Sequence, residues 1–157
     1  MSKKVSIEDV MPLIEEQINH SGFVTFTPRG NSMLPLLRNN KDTITLKKPD
    51  FPLKKYDIAF YKRDSGTYVL HRIVKVNGTN YTMRGDNQFL DENNIRQDQI
   101  IGVVDSFTRK GEKYTGNEIL YKCYCRVWVK TASIRRLIRI MKRIAGKVKR
   151  KIKGKCR

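Results

Sequence analysis

Residues 119–157 carry 15 lysines and arginines and not one aspartate or glutamate. Such a segment cannot be buried whole, because unpaired charges are too costly to desolvate. It can order only by collecting its apolar side chains on one side. The sequence allows that: Ile134, Leu137, Ile138, Met141, Ile144, Ala145, Val148 and Ile152 recur at spacings of three and four, with Arg and Lys in most positions between. This pattern predicts a strongly basic amphipathic helix over residues 127–153, weakened but not broken by Gly146. The rest of the chain is ordinary by comparison. Residues 1–118 hold 18 basic and all 15 acidic side chains, so most of the +18 net charge lies in the final quarter. The asymmetry points to an anionic partner for the tail, either a membrane surface or nucleic acid.

The front of the chain reads as one domain with a leading helix. Ile7, Val10, Met11, Ile14 and Ile18 give that helix an apolar face, with Ser6 as N-cap and an end near His20-Ser21-Gly22. Strand patterns follow at residues 23–27, 43–46, 56–61, 68–76, 81–83 and 100–107, with Asn77-Gly78 forming a hairpin turn. The expected fold is mainly β, a barrel or sandwich core with an N-terminal helix and a C-terminal basic amphipathic helix. The expected organisation is a helix over 1–21, a β domain over 22–118 and a basic tail over 119–157.

Several classes are disfavoured. No stretch approaches the roughly 18–20 apolar residues of a membrane span, and no apolar run after Met1-Ser2-Lys3-Lys4 suggests a secretory signal. Three cysteines, Cys123, Cys125 and Cys156, are too few and too late for a disulfide framework, and a reduced structural role is expected for them. No His or Cys pair stands at metal-ligand spacing, and no phosphate or dinucleotide loop is present. Neither metal nor cofactor is expected.

Three places carry groups suited to chemistry. Ser32 lies in a turn-like stretch between Gly30 and Pro35, where a hydroxyl can face outward with backbone N–H groups nearby. His71 is one of two histidines and sits in the strand Tyr68–Val76; alternation puts Val69, His71, Ile73 and Lys75 on one face. Asp86, within the turn Gly85-Asp86-Asn87, and Asp91, after it, are candidates to orient an imidazole. Taken singly, each is also an ordinary turn or strand residue.

Their order and wording are more specific. Gly30-Asn31-Ser32-Met33-Leu34-Pro35, Leu70-His71-Arg72-Ile73-Val74, Arg84-Gly85-Asp86-Asn87-Gln88 with Asp91, and Ile100-Ile101-Gly102-Val103-Val104 resemble the successive boxes of the type I signal peptidase superfamily, over about residues 22–108. The resemblance is nearest to the branch that pairs serine with histidine, found in the endoplasmic reticulum, archaea and some Gram-positive bacteria; the superfamily also includes self-cleaving SOS-type repressors. It implies a β-rich serine endopeptidase that takes leader or signal peptides as an extended strand, with small residues flanking the cleaved bond. By the same resemblance Ser32 is the nucleophile and His71 the general base. Asp91 is the first choice for the acid and Asp86 the second. Asn31 and Met33 fall at oxyanion- and substrate-binding positions.

The chain departs from the family in four ways. It lacks the membrane span that precedes the serine box. Gly30 stands where a serine or threonine usually helps the oxyanion. Glu92 follows Asp91 and leaves the acid unsettled, and Lys75 shares the His71 face as an alternative base. In place of a span, Trp128 with Arg135, Arg136, Arg139, Lys142 and Arg143 suggests attachment to an anionic membrane through residues 127–157. The expected location is therefore cytoplasmic and peripheral on the membrane. The alternative is an inactive or repressor-like relative that binds nucleic acid through the tail.

Overall fold

The computed structural model describes the backbone of residues 7–155 and the side chains of residues 7 and 9–146. Helix α1 spans Ile7–Ser21. Eight strands follow: β1 Phe23–Phe26, β2 Thr43–Lys47, β3 Ile58–Lys62, β4 Tyr68–Asn77, β5 Asn80–Arg84, β6 Glu92–Ile95, β7 Ile100–Arg109 and β8 Glu112–Tyr114. Helices α2, Ile119–Lys130, and α3, Ala132–Lys155, complete the chain. The expected N-cap, Ser6, and Cys156 lie outside the described residues.

The strands form one antiparallel sheet in the order β1-β2-β7-β3-β4-β5-β6, with β8 paired to β7. Edge strands β1 and β6 do not meet, so the expected closed barrel is not formed. The expected sandwich of two separate sheets is likewise replaced by a single bent sheet. Register shifts at Thr45/Leu46, Phe60/Tyr61, Ile73/Lys75 and Tyr81/Met83 interrupt the ladders, and such bulges bend a sheet.

Strand β3 shows why two cores result. Its residues Ile58 to Tyr61 are all buried, so both of its faces are covered. Ile58 and Phe60 join Ile44, Leu46, Leu70 and Phe107 beneath α1, which contributes Met11, Ile14 and Ile18. Ala59 and Tyr61 join Ile73, Tyr81, Met83 and Val103 on the opposite side. Burying each large α1 side chain stabilises the fold by about 1.5–3 kcal/mol relative to exposure. The Asn77-Gly78 hairpin joins β4 to β5, with Asn77 opposite Asn80.

The basic segment differs from the expected single helix. α2 begins eight residues earlier than predicted and packs on the sheet through Tyr121 and Tyr124, which lie against the first core. The chain breaks at Thr131, whose hydroxyl donates to Val127 O at 2.8 Å, before α3 starts. Within α3, Ile134, Leu137, Ile138, Met141 and Ile144 are 47–67% exposed, so its apolar face is uncovered. No helix among the described residues is long and apolar enough to cross a membrane.

Candidate active site

The turn holding Ser32 is built by its flanks. Gly30 takes a φ of +111°, a region costly for residues with a Cβ, and its N–H donates to Asn39 Oδ1 at 2.9 Å. Met33, Leu36 and Leu37 point into the first core and anchor the far side. Leu37 N–H closes back on Met33 O at 3.0 Å. Ser32 is left half-buried. No hydrogen bond among the described residues uses its hydroxyl, or the N–H of Ser32 or Met33. Ser32 and Met33 line an apolar cleft of about 630 Å³ whose walls include Val10 and Leu13 of α1, Phe26 of β1, and Phe60 and Leu70.

The backbone of Ser32 is docked on the β5–β6 connection. Its carbonyl accepts the Asn87 N–H at 2.7 Å, and the Asn87 side-chain amide donates to Asn31 O at 3.0 Å. The approach is so close that a Cβ on Gly85 would stand 2.7 Å from Ser32 O. Glycine is therefore required at residue 85 by contact, not by its own φ.

His71 is 1% exposed, on β4, facing the second core opposite Ala59. Its Nδ1 lies 3.2 Å from the Tyr61 hydroxyl and 3.1 Å from Glu92 Oε1. The Tyr61 hydroxyl donates to Glu92 Oε2 at 2.9 Å, so it has no second proton to give His71. Both neighbours of Nδ1 are then acceptors. Nδ1 carries the ring proton, and Nε2 is the nitrogen left to accept one. Glu92 is held in turn by Arg63, through Nε at 2.7 Å and Nη2 at 2.5 Å. Burial works to raise the Glu92 carboxyl, but the hydrogen bonds from Arg63 and Tyr61 outweigh it and leave it below the usual range. Burial lowers the His71 imidazole, and the attraction of Glu92 only partly offsets that. Burial thereby favours the neutral ring.

The carboxylate beside His71 is thus Glu92, which corrects the expected choice. Asp91, just ahead of β6, pairs instead with Arg84, 3.0 Å away, and is partly exposed. Asp86 is committed to Arg72 through two bonds of 2.8 Å, a buried ion pair. Burial opposes the Arg72 charge, yet Asp86 prevails and raises its pKa well above the ordinary value. Lys75, the alternative base, is exposed on β4 whereas His71 is buried.

No hydrogen bond joins the Ser32 hydroxyl to the His71 ring among the described residues. The two are connected through the scaffold instead: Ser32 binds Asn87, whose neighbour Asp86 binds Arg72, and Arg72 adjoins His71. Leu70, on the other side of His71, lines the Ser32 cleft.

Three of the residues expected to meet a membrane are engaged elsewhere. The Trp128 indole donates to Asp86 O at 2.8 Å, Arg135 donates to the same oxygen at 3.1 Å, and Arg139 donates to Asn87 O and Oδ1 at 3.2 and 2.7 Å. Arg135 also lies over the Trp128 ring at 3.8 Å. Arg136, Lys142 and Arg143 are exposed on α3. The free thiols divide similarly. Cys123 is exposed, whereas Cys125 is buried and accepts from Arg72 Nη1 at 3.1 Å, its pKa raised by burial. Among the described residues no three His, Cys, Asp or Glu side chains form a metal-ligand cluster.

The sequence reading did not single out Tyr61, Arg63 or Cys125's contact with Arg72. Tyr61 carried a usable signal, since it lies on β3, paired antiparallel with the histidine strand. No protein-family model matches this chain, and no curated protein sequence matches it.

Proposed function

We propose that the chain is a serine endopeptidase that cleaves leader or signal peptides bound as an extended strand. The observation that carries this reading is an uncommitted serine hydroxyl on an apolar cleft, one wall residue of which, Leu70, directly precedes a buried, carboxylate-backed histidine on β4. In this reading Ser32 Oγ attacks the scissile carbonyl while His71 Nε2 takes its proton. The resulting oxyanion is met by the N–H groups of Ser32 and Met33, which have no other acceptor within the described chain. The carbonyl then re-forms, the C–N bond breaks, and His71 returns the proton to the leaving amine. Water activated by the same imidazole hydrolyses the acyl-serine. Glu92 and Tyr61 hold Nδ1–H and stabilise the transient imidazolium.

The uncovered apolar face of α3, on a helix that also exposes Arg136, Lys142 and Arg143, supports attachment to an anionic membrane surface. It favours lipid over nucleic acid, because base and phosphate recognition has no use for five exposed aliphatic side chains in a row. The test of the activity compares wild type with Ser32→Ala on leader-bearing peptides, alongside a serine-directed covalent probe. Cleavage by wild type alone, with the probe on Ser32, supports the reading. Equal cleavage by both proteins, or labelling at another serine, removes it.

A further inference from the structure

We infer that the basic C-terminal helices are part of the machinery that positions Ser32, with Arg139 as the positioning residue and Asn87 as the link. This rests on the Ser32 reading above, and concerns how that same site is held. Asn87 is gripped from both sides. From α3, the Arg139 guanidinium donates to its carbonyl and its Oδ1, and sits over the Phe89 ring at 4.5 Å. Toward the serine turn, its N–H donates to Ser32 O and its Nδ2 to Asn31 O. The orientation of the amide follows from chemistry. A guanidinium only donates, so Oδ1 must face Arg139, which turns Nδ2 to the Asn31 carbonyl. Removing Arg139 therefore removes one of the two partners, with Asn31 O, that fix which end of Asn87 meets the serine turn.

The preceding residue is held by the same two helices. Asp86 O accepts from Trp128 of α2 and Arg135 of α3, while Tyr124 donates to Asp86 Oδ2 at 3.2 Å. The 85–87 segment thus lies between the serine turn and the helix pair, hydrogen-bonded to both. A segment held by hydrogen bonds opens more readily than one held by packing, so its position depends on those donors. Arg135 and Arg139 are one turn apart and face this segment, whereas Ile134, Leu137, Ile138 and Met141 occupy a different side of α3 and stay exposed. One helix thereby presents one side to the active-site segment and another to its surroundings.

The experiment uses the full-length protein in detergent-free, lipid-free buffer. Amide hydrogen exchange is followed at Asn87 in wild type, Arg139→Ala and Arg139→Lys, with Ile73, bonded to Asp57 O at 2.8 Å in β4, as the fold control. Loss of a charged donor pair should speed Asn87 exchange by about tenfold or more in the alanine protein, with Ile73 unchanged. The lysine protein keeps the charge and one donor and should fall between the two. Peptide cleavage should show a lower kcat with KM within about twofold, partly restored by lysine. Wild-type exchange at Asn87 in Arg139→Ala overturns the inference. Should both amides accelerate there, the lysine protein decides: wild-type exchange at Asn87 in it overturns the inference, and faster exchange with Ile73 intact supports it. Because exchange is read without turnover, the coupling stands or falls separately from the peptidase assay.

Discussion

His71 Nδ1 lies 3.1 Å from Glu92 Oε1, while Asp91, one residue earlier, reaches Arg84 at the end of β5. The Tyr61 hydroxyl bridges the histidine and the glutamate, and Arg63 braces the glutamate from behind. The two acids should therefore respond differently to neutralisation. Glu92→Gln is expected to lower kcat/KM by about 10²-fold or more, because the ring loses the group that holds its tautomer and its charged form. Asp91→Asn removes only a half-exposed pair worth less than about 1 kcal/mol and should leave kcat/KM within about threefold. Steady-state kinetics on one leader peptide compares them; a larger loss in the Asp91 variant would return the acid role to that residue.

The same network sets a pH dependence. Burial lowers the folded-state pKa of His71 below the usual 6.5, while the unfolded chain protonates near that value. Between the two, the unfolded state binds more protons, so folding stability rises with pH. This contribution is fully present above about pH 6.5 and is lost as pH falls through the lower folded value. Glu92, also held below its ordinary range, adds stability of the same sign at still lower pH. Denaturant titrations from pH 8 to 5 should show stability falling with acid, with a shallower fall in His71→Gln. The acid limb of kcat/KM should have its midpoint below 6.5. In Glu92→Gln it should move lower again, because the carboxylate that favours the imidazolium is gone.

Gly85→Ala tests how closely the serine turn sits on the β5–β6 connection. The new Cβ would meet Ser32 O at 2.7 Å and the Gln88 side chain at 3.2 Å. The carbonyl is backbone and already bonded to Asn87, so it cannot yield without moving the turn. A loss of about 1–3 kcal/mol in stability is expected, as for overpacking at a tight contact. Probe labelling at Ser32 should drop by at least about tenfold at a temperature where the variant is still folded. Labelling at the wild-type rate would show that the turn adjusts without cost.

The Asp86 carboxylate and Arg72 guanidinium form a pair in which both side chains are at most 2% exposed. Arg72 Nη1 is further satisfied by Tyr56 O, the Tyr121 hydroxyl and Cys125 Sγ. Asp86→Ala strands a buried guanidinium and should destabilise the protein by about 3–5 kcal/mol. Asp86→Ala with Arg72→Met, which removes both charges, should recover much of that loss in the same denaturant titration.

Local signals made most strands legible. The alternating run at β2, the β-branched-rich runs at β4 and β7 and the Asn77-Gly78 turn all depend on neighbours in sequence, and α1 shows its buried face at Met11, Ile14 and Ile18. β6 was not read because Glu92-Asn93-Asn94-Ile95 has one buried apolar residue and takes its strand form from pairing with β5. Without β6, nothing local showed that Glu92 rather than Asp91 stands beside His71. The aromatic stripe Tyr121, Tyr124 and Trp128 recurs at helical spacing ahead of the basic residues and marks α2 as a packed element. Barrel closure was beyond local pattern, because it depends on where four separate register shifts turn the sheet.

The last prediction concerns what α3 meets. Five aliphatic side chains between Ile134 and Ile144 stand 47–67% exposed, on a helix whose neighbouring positions include Arg136, Lys142 and Arg143. Each basic residue near an anionic bilayer contributes about 1 kcal/mol, before screening, and burying the aliphatic groups adds to it. Flotation with vesicles containing phosphatidylserine should capture the protein, weaken with salt, and fail for Leu137→Asp with Ile138→Asp. The sole tryptophan, Trp128, gives an internal discriminator. Its indole is bonded to Asp86 O and covered by Arg135, on the side of the helix pair that faces the β domain. Vesicle binding through the apolar face should therefore leave its emission maximum nearly unchanged. A large blue shift on binding would place Trp128 in the lipid and break the proposed division of α3 into a face for the site and a face for the membrane.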